Sequence, residues 1–392
     1  MAMKRGDGIL NSSARALTSR PASATQAFVL ARVAVPAVSF SALLRAQAPR
    51  LLRIALTLLI ASAAALLCVW LHTPLPWMIG PLLSTALLSI LDVPLASSRR
   101  LRNAGQWVVG TALGLYFTPV VAAQVLVLAP WTLLGTAWAL LMGHLFYRWL
   151  LASQPAGAVD ASTAYFASVI GGASEMAGFA ERLGARVDLV AAAHSLRVLV
   201  VVITLPFGYQ FAQIHGQDLS LNTHLQTVQP FGLLLLGLAT MAGAQLMQRL
   251  RQPNPWVLGS LAASLALTAS GVQLSALPGG LMAAAQLGIG VSLGTRFTAK
   301  FVHTAPRWLA AVAAGTLGMI AMSAGFAWIV ARLADLNPAA VLLGNSPGGI
   351  TEMCLTAKVL QLGVPLVTAF HIVRYVIVLV LTGPIHRRWI AK

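Results

Sequence analysis

The sequence predicts an all-helical protein that crosses a membrane many times and is built from two related halves. Three observations lead there. Of 392 residues, 58% are hydrophobic and only 9% are charged, where a soluble domain carries roughly 25% charged residues. With a mean hydropathy of +0.81, the chain cannot cover a water-facing surface, so the bilayer must be its solvent. Apolar runs recur near the ~20-residue spanning length of a helix, whereas a transmembrane β-barrel would show shorter, alternating segments. Finally, one polar motif occurs twice. Gly171-Gly172-Ala173-Ser174-Glu175-Met176 returns 177 positions later as Gly348-Gly349-Ile350-Thr351-Glu352-Met353, and His194 and Arg197 return at the same spacing as His371 and Arg374.

In chain order, residues 1–50 form a basic tail in which Lys4, Arg5, Arg15, Arg20, Arg32, Arg45 and Arg50 face one acid, Asp7. Its Ser- and Ala-rich composition fits a disordered cytoplasmic tail, an over-long start or a transit peptide. Spans are expected at 51–71 and 74–92, the second opening with Pro74-Leu75-Pro76-Trp77, a good helix start at an interface. A third span, 103–121, carries Gly105, Gln106, Gly110 and Gly114, a small-residue face that lets a neighbouring helix approach. A fourth follows at 126–150, then the Gly-Gly element at 161–183 and a fifth span at 187–211. Residues 212–229 read as a polar linker without Lys or Arg.

The second repeat, 230–392, restarts this pattern. Asn254-Pro255-Trp256-Val257-Leu258-Gly259 echoes the Pro76-Trp77-Met78-Ile79-Gly80 stretch, and Gln286, Gly290 and Gly294 echo Gln106, Gly110 and Gly114. Such small drifts in spacing indicate a duplicated half, 51–211. Lys and Arg stay on the cytoplasmic side. Arg99, Arg100, Arg102 and Arg148 then lie inside, as do Arg249, Arg251, Lys300 and Arg307, while the linker lies outside. The assignment works if each Gly-Gly element is a broken, re-entrant hairpin. About ten crossings in two inverted repeats follow, an arrangement common in secondary transporters. Six full crossings per half, in parallel repeats, is the alternative, and Arg332 with Asp335 fits the inverted model least well.

The formal net charge of +17 belongs to loops and tail in a membrane protein, so no nucleic-acid partner is expected. Cys68 and Cys354 lie in apolar runs without zinc spacing. The eight histidines are scattered, and HExxH, P-loop and Gly-x-Ser-x-Gly signatures are absent. The reading therefore expects no catalytic residues, no metal and no cofactor, and argues against an enzyme.

Candidate site residues come from the repeats. Gly171, Gly172, Gly348 and Gly349, the last two after Pro347, interrupt apolar helices. Freed backbone groups are tolerated in a membrane only where protein or a watery cavity satisfies them. This permits either a packing kink or an ion site at exposed helix ends. Glu175 and Glu352 cost ~2.5–3.5 kcal/mol each at mid-depth on insertion scales. They read either as cation or proton carriers or as ion-pair partners of Arg197 and Arg374. A turn near Gly184 would bring Glu175 to the depth of His194, and His194 and Arg197 share a helical face. Gln106 and Gln286 suit interhelical hydrogen bonds or substrate contacts, and Asn345 with Ser346 adds polarity to the second half.

These motifs, with Pro76-Trp77-Met78-Ile79-Gly80-Pro81 and Ser346-Pro347, together resemble the bacterial membrane AbrB family in its duplicated Gram-negative form, over roughly 51–392. The resemblance implies a multi-pass protein of the bacterial inner membrane, of a family labelled as ammonia monooxygenases or as regulators of gene expression. It also implies a distant likeness to the cation/proton antiporter–bile-acid symporter class. The expected partners are the lipid bilayer and a small solute or ion, with a homo-oligomer left open. The expected function is secondary transport of a small solute coupled to H+ or Na+. A membrane regulator is the alternative and a monooxygenase-type enzyme the third reading.

Overall fold

The structure is a computed structural model that describes residues 40–216, 227–299 and 305–390. Residues 1–39 of the tail and 217–226 of the linker, for which disorder and polarity are expected, lie outside the described residues. From Pro49 onward the chain forms one compact unit.

Every regular element among the described residues is helical. The first half contains α1 (Phe40–Trp70), α2 (Pro76–Ile90), α3 (Arg99–Gly114), α4 (Pro119–Val127), α5 (Ala129–Ala152), α6 (Ala161–Ser168), α7 (Ala173–Arg182) and α8 (Val187–Phe211). The second contains α9 (Pro230–Arg249), α10 (Pro255–Ala269), α11 (Gly279–Gly294), α12 (Pro306–Ala334), α13 (Pro338–Asn345), α14 (Ile350–Val359) and α15 (Val364–Ile385).

Five of these helices are long and apolar enough to cross a membrane, or six if α3 and α4 are one span bent by 87°. The expected ten crossings are not reproduced by length and composition. α2, α10 and α11 are apolar but only 15 or 16 residues long, about 24 Å at most against a ~30 Å hydrocarbon core. Nor is the third expected span, 103–121, continuous. Thr118 caps a new helix by accepting from the Val121 N–H, and Pro119 follows at a helix start. α2 and α10 begin alike, after a left-handed residue (Leu75, φ 48°; Asn254, φ 48°) and then proline.

Two packed groups form. In one, α2 and α3 lie against α11 and α10. The glycines set the spacing. A Cβ on Gly114 would stand 2.7 Å from the Leu261 carbonyl oxygen, and one on Gly290 would stand 2.6 Å from that of Met78. These are the small-residue faces read in the sequence, and Ser264 Oγ donates across one of them to the Thr111 carbonyl at 2.9 Å. In the other group α5, α6, α7 and α8 pack with α12 and α15 around Met142, Phe146, Phe166, Met176, Trp308 and Val378, and α13 and α14 pack against α15. α3 also touches α14 and α15, which joins the groups.

Replacing Gly114 by Leu drives a side chain into α10 and is expected to destabilise the protein by about 1–3 kcal/mol. A lowered thermal midpoint in detergent, with no comparable loss for Leu at the open Gly318 position, checks this.

Candidate functional site

Each Gly-Gly element is a helix broken in two. α6 stops at Ser168 and α7 starts at Ala173; α13 stops at Asn345 and α14 starts at Ile350. The last carbonyls before each break have no following helical turn to pair with, and the chain answers with side chains from the following long helix. On α8, Arg197 donates to the carbonyls of Ala167 (3.4 Å), Ser168 (3.3 Å) and Val169 (3.0 Å). On α15, Arg374 donates to those of Gly344 (3.4 Å), Ser346 (2.7 Å) and Gly348 (3.2 Å). His194 and His371 lie one turn earlier and reach the carbonyls of Phe166 (2.9 Å) and Leu343 (3.0 Å) through Nε2.

The tautomer of both histidines follows from these contacts. Each arginine donates to the histidine Nδ1, at 2.8 Å for His194 and 2.6 Å for His371. Nδ1 must therefore be the acceptor and Nε2 must carry the proton it gives to the carbonyl. Neutral imidazoles thus extend the reach of two buried guanidiniums; Arg197 is 2% exposed and Arg374 5%.

The motif's other residues have equally local roles. A Cβ on Gly172 would meet the Glu175 carboxylate, and one on Gly349 would meet that of Glu352. Each glutamate stands three residues after its glycine N-cap and folds back over the start of its half-helix. There the unpaired N–H groups and the positive end of the helix dipole favour an anion. The first glycine of each pair makes room for the methionine. A Cβ on Gly171 would lie 3.1 Å from Met176 Cε, and one on Gly348 would lie 2.7 Å from Met353 Cγ. Both methionines are fully buried.

Of the two readings left open for the glutamates, the ion pair with arginine is not formed. The only salt bridge among the described residues joins Arg186 to Asp188. Arg197 and Arg374 instead face the carbonyl ends of α6 and α13, while Glu175 and Glu352 face the amide ends of α7 and α14. Opposite charges are matched to opposite helix ends, not to each other.

Both breaks border one polar cavity of about 460 Å³. It is lined by Gly171, Gly172, Glu175, His194 and Arg197 from the first half and by Gly348, Gly349, Glu352, His371 and Arg374 from the second. The turn at Gly184 (φ 71°) brings α8 back beside α7. Gln106 also lines the cavity and donates to Asn254 Oδ1 at 3.4 Å, an interhelical bond. Three expected site residues do not line it. Gln286 is buried in α11. Asn345 donates back to the Val341 carbonyl, and Ser346 to that of Leu343, each within its own helical turn. Lining residues not anticipated from the sequence include Arg102, assigned there to a basic loop, Asn103, Gln252, Asn254, Arg296 and Tyr375. For Arg296 the available signal was a basic residue two positions after Gly294 of a small-residue face.

Among the described residues no group of three His, Cys, Asp or Glu could hold a metal ion. A family model described as "Transition state regulatory protein AbrB" matches residues 77–390. The chain belongs to the AbrB family. Two curated relatives are similar over nearly their whole lengths. "Uncharacterized protein YhjN" of Bacillus subtilis (strain 168) is 24% identical over 341 residues, 79% of this chain and 86% of that protein. "Putative regulator AbrB" of Escherichia coli (strain K12) is 26% identical over 323 residues, 82% of this chain and 91% of that protein. No solved structure matches.

Since a methyl group at 172 displaces the Glu175 carboxylate, Gly172→Ala is expected to lower stability by about 1 kcal/mol, the size of a lost cap. The loss should vanish in a Glu175→Ala background. A double-mutant cycle on thermal unfolding tests it; additive effects would separate the glycine from the carboxylate.

Proposed function

We propose that this AbrB-family protein is a secondary transporter of a small solute in the bacterial inner membrane, its two halves being inverted repeats. One observation carries the reading: two broken helices in an apolar bundle turn their freed ends toward a single polar cavity. Irregular backbone at membrane depth belongs where it lines a cavity, and broken helices facing one site are the usual architecture of alternating access. The cavity reaches exposed Gln252 beside Arg249 and Arg251, and Arg102 beside Arg99 and Arg100. By the rule that basic loops stay inside, it opens to the cytoplasm. Glu175 and Glu352, half-buried at its edge, are placed to bind a coupling H+ or Na+.

Regulation of gene expression is the second reading, favoured by the family description and by the name of the Escherichia coli relative. On that reading output passes through the basic tail 1–50. Two outcomes separate them. In proteoliposomes, Glu175→Gln and Glu352→Gln, singly and together, should reduce solute flux at least roughly tenfold and remove its dependence on pH, as loss of a proton-carrying group does; unchanged flux and pH profile contradict the mechanism. Deleting residues 1–39 should leave flux intact. Loss of a regulatory effect on deletion, with no flux in the full chain, would favour the regulator. A single cysteine at Val228, in a Cys68→Ser/Cys354→Ser background, should react with a membrane-impermeant thiol reagent from the periplasmic side; labelling only from the cytoplasmic side would mean parallel repeats.

A further inference from the structure

The charges around the cavity are unequal. Four guanidiniums line it, those of Arg102, Arg197, Arg296 and Arg374, against two carboxylates, Glu175 and Glu352. The histidines are neutral by their hydrogen bonds. Arg197 and Arg374 are committed to carbonyls, and the glutamates to helix N-termini. Arg102 and Arg296 remain. Neither side chain makes a hydrogen bond or salt bridge among the described residues, and Arg102 Nε is buried without a partner. They come from different elements, α3 and the turn after α11, and line the same cavity, which Glu352 also borders. Arg102 is half-buried and Arg296 exposed at the cavity mouth, so an anion entering there would meet two positive charges with unused donors.

A second orphan points to the same place. Tyr375 lines the cavity and is 8% exposed, and its hydroxyl lies beside the Glu175 carboxylate without reaching hydrogen-bond geometry. Its counterpart 177 positions earlier is Val198, and Arg102 and Arg296 stand opposite Met282 and Tyr116 in the other half. These polar groups are thus absent from the duplicated framework that supports the breaks, which suits recognition of an asymmetric ligand.

We infer that the cavity binds a small oxyanion, a carboxylate or a phosphate, between the guanidiniums of Arg102 and Arg296, with the Tyr375 hydroxyl as a further donor. Planar guanidinium forks match both anions and can grip them bidentately. A cavity of about 460 Å³ admits a metabolite-sized ligand. The inference rests on the transport reading for its purpose, because it names that transporter's substrate class, but the binding can be tested without flux.

The full chain, purified in a neutral detergent, is heated in increasing concentrations of sodium acetate, succinate, phosphate or glycerol phosphate. Sodium chloride at matched ionic strength is the control, and micellar phosphatidylglycerol shows whether a lipid headgroup is preferred to a free anion. At least one oxyanion should stabilise the wild type beyond the chloride control. Arg102→Gln and Arg296→Gln should each raise its half-saturating concentration roughly tenfold or more, while Arg100→Gln, at an exposed position on the same helix, should not. A second readout does not depend on the arginine variants folding. The same anion should slow thiol modification of a Ser174→Cys variant in the cysteine-free background, Ser174 being an exposed residue of the cavity wall. No stabilisation and no protection by any of these probes, or binding that survives both arginine substitutions, overturns the inference. Flux without oxyanion binding would remove it and leave transport standing; oxyanion binding without flux would do the reverse.

Discussion

The fold depends on how a helix can be cut within a bilayer. A break exposes carbonyls on one side and amides on the other, and hydrocarbon offers neither a partner. Here the carbonyl side is met by an arginine aided by a histidine, and the amide side by a glutamate three residues into the new half-helix. Each charge lies against a helix end of opposite sign, which supplies part of the compensation that an ion pair would give. The six-residue motif and its distant His-x-x-Arg are one device. The glycines admit Glu175 and Met176, or Glu352 and Met353, and the arginine closes the other side. It is used twice, with the histidine and two of the three arginine contacts on corresponding carbonyls, which makes the two breaks similar supports around one cavity.

This division of labour separates scaffold from chemistry. Because Arg197 and Arg374 hold backbone, they are poorly free to hold solute, and Asn345 and Ser346 likewise turn inward to their own helix. What remains available at the cavity is the pair of half-buried glutamates and the unpaired Arg102, Arg296 and Tyr375. The repeated residues build the site, while the unrepeated ones give it character. Membership of the AbrB family joins the protein to relatives whose names speak of regulation or of no role. The polar cavity flanked by broken helices is the feature on which the proposed transport role rests.

Much of this was legible in the sequence. The apolar composition fixed the solvent, and α8 and the Gly-Gly elements fall where their apolar runs and glycines place them. His194 and Arg197 could be assigned to one helical face from their spacing, and a turn at Gly184 lets Glu175 line the same cavity. Three things could not be read. The helix ends that neutralise Glu175 and Arg197 are backbone features with no residue letter, so a direct ion pair looked natural. The bend at Leu115–Thr118 hides in an apolar run, because a capping Thr118 before Pro119 resembles ordinary span composition. Arg102 sits among loop arginines, and only the packing of α3 against α11 and α14 turns it toward the cavity.

The most direct test compares the arginines with the glutamates. Thermal unfolding in detergent would be measured for Arg197→Gln, Arg374→Gln, Glu175→Gln and Glu352→Gln. Each arginine variant leaves three carbonyls short of a donor and should lose about 3 kcal/mol or more, several times the loss from either glutamine at a cap. Arginine variants as stable as the wild type, or no worse than the glutamine variants, would contradict the claim that these guanidiniums hold the breaks open.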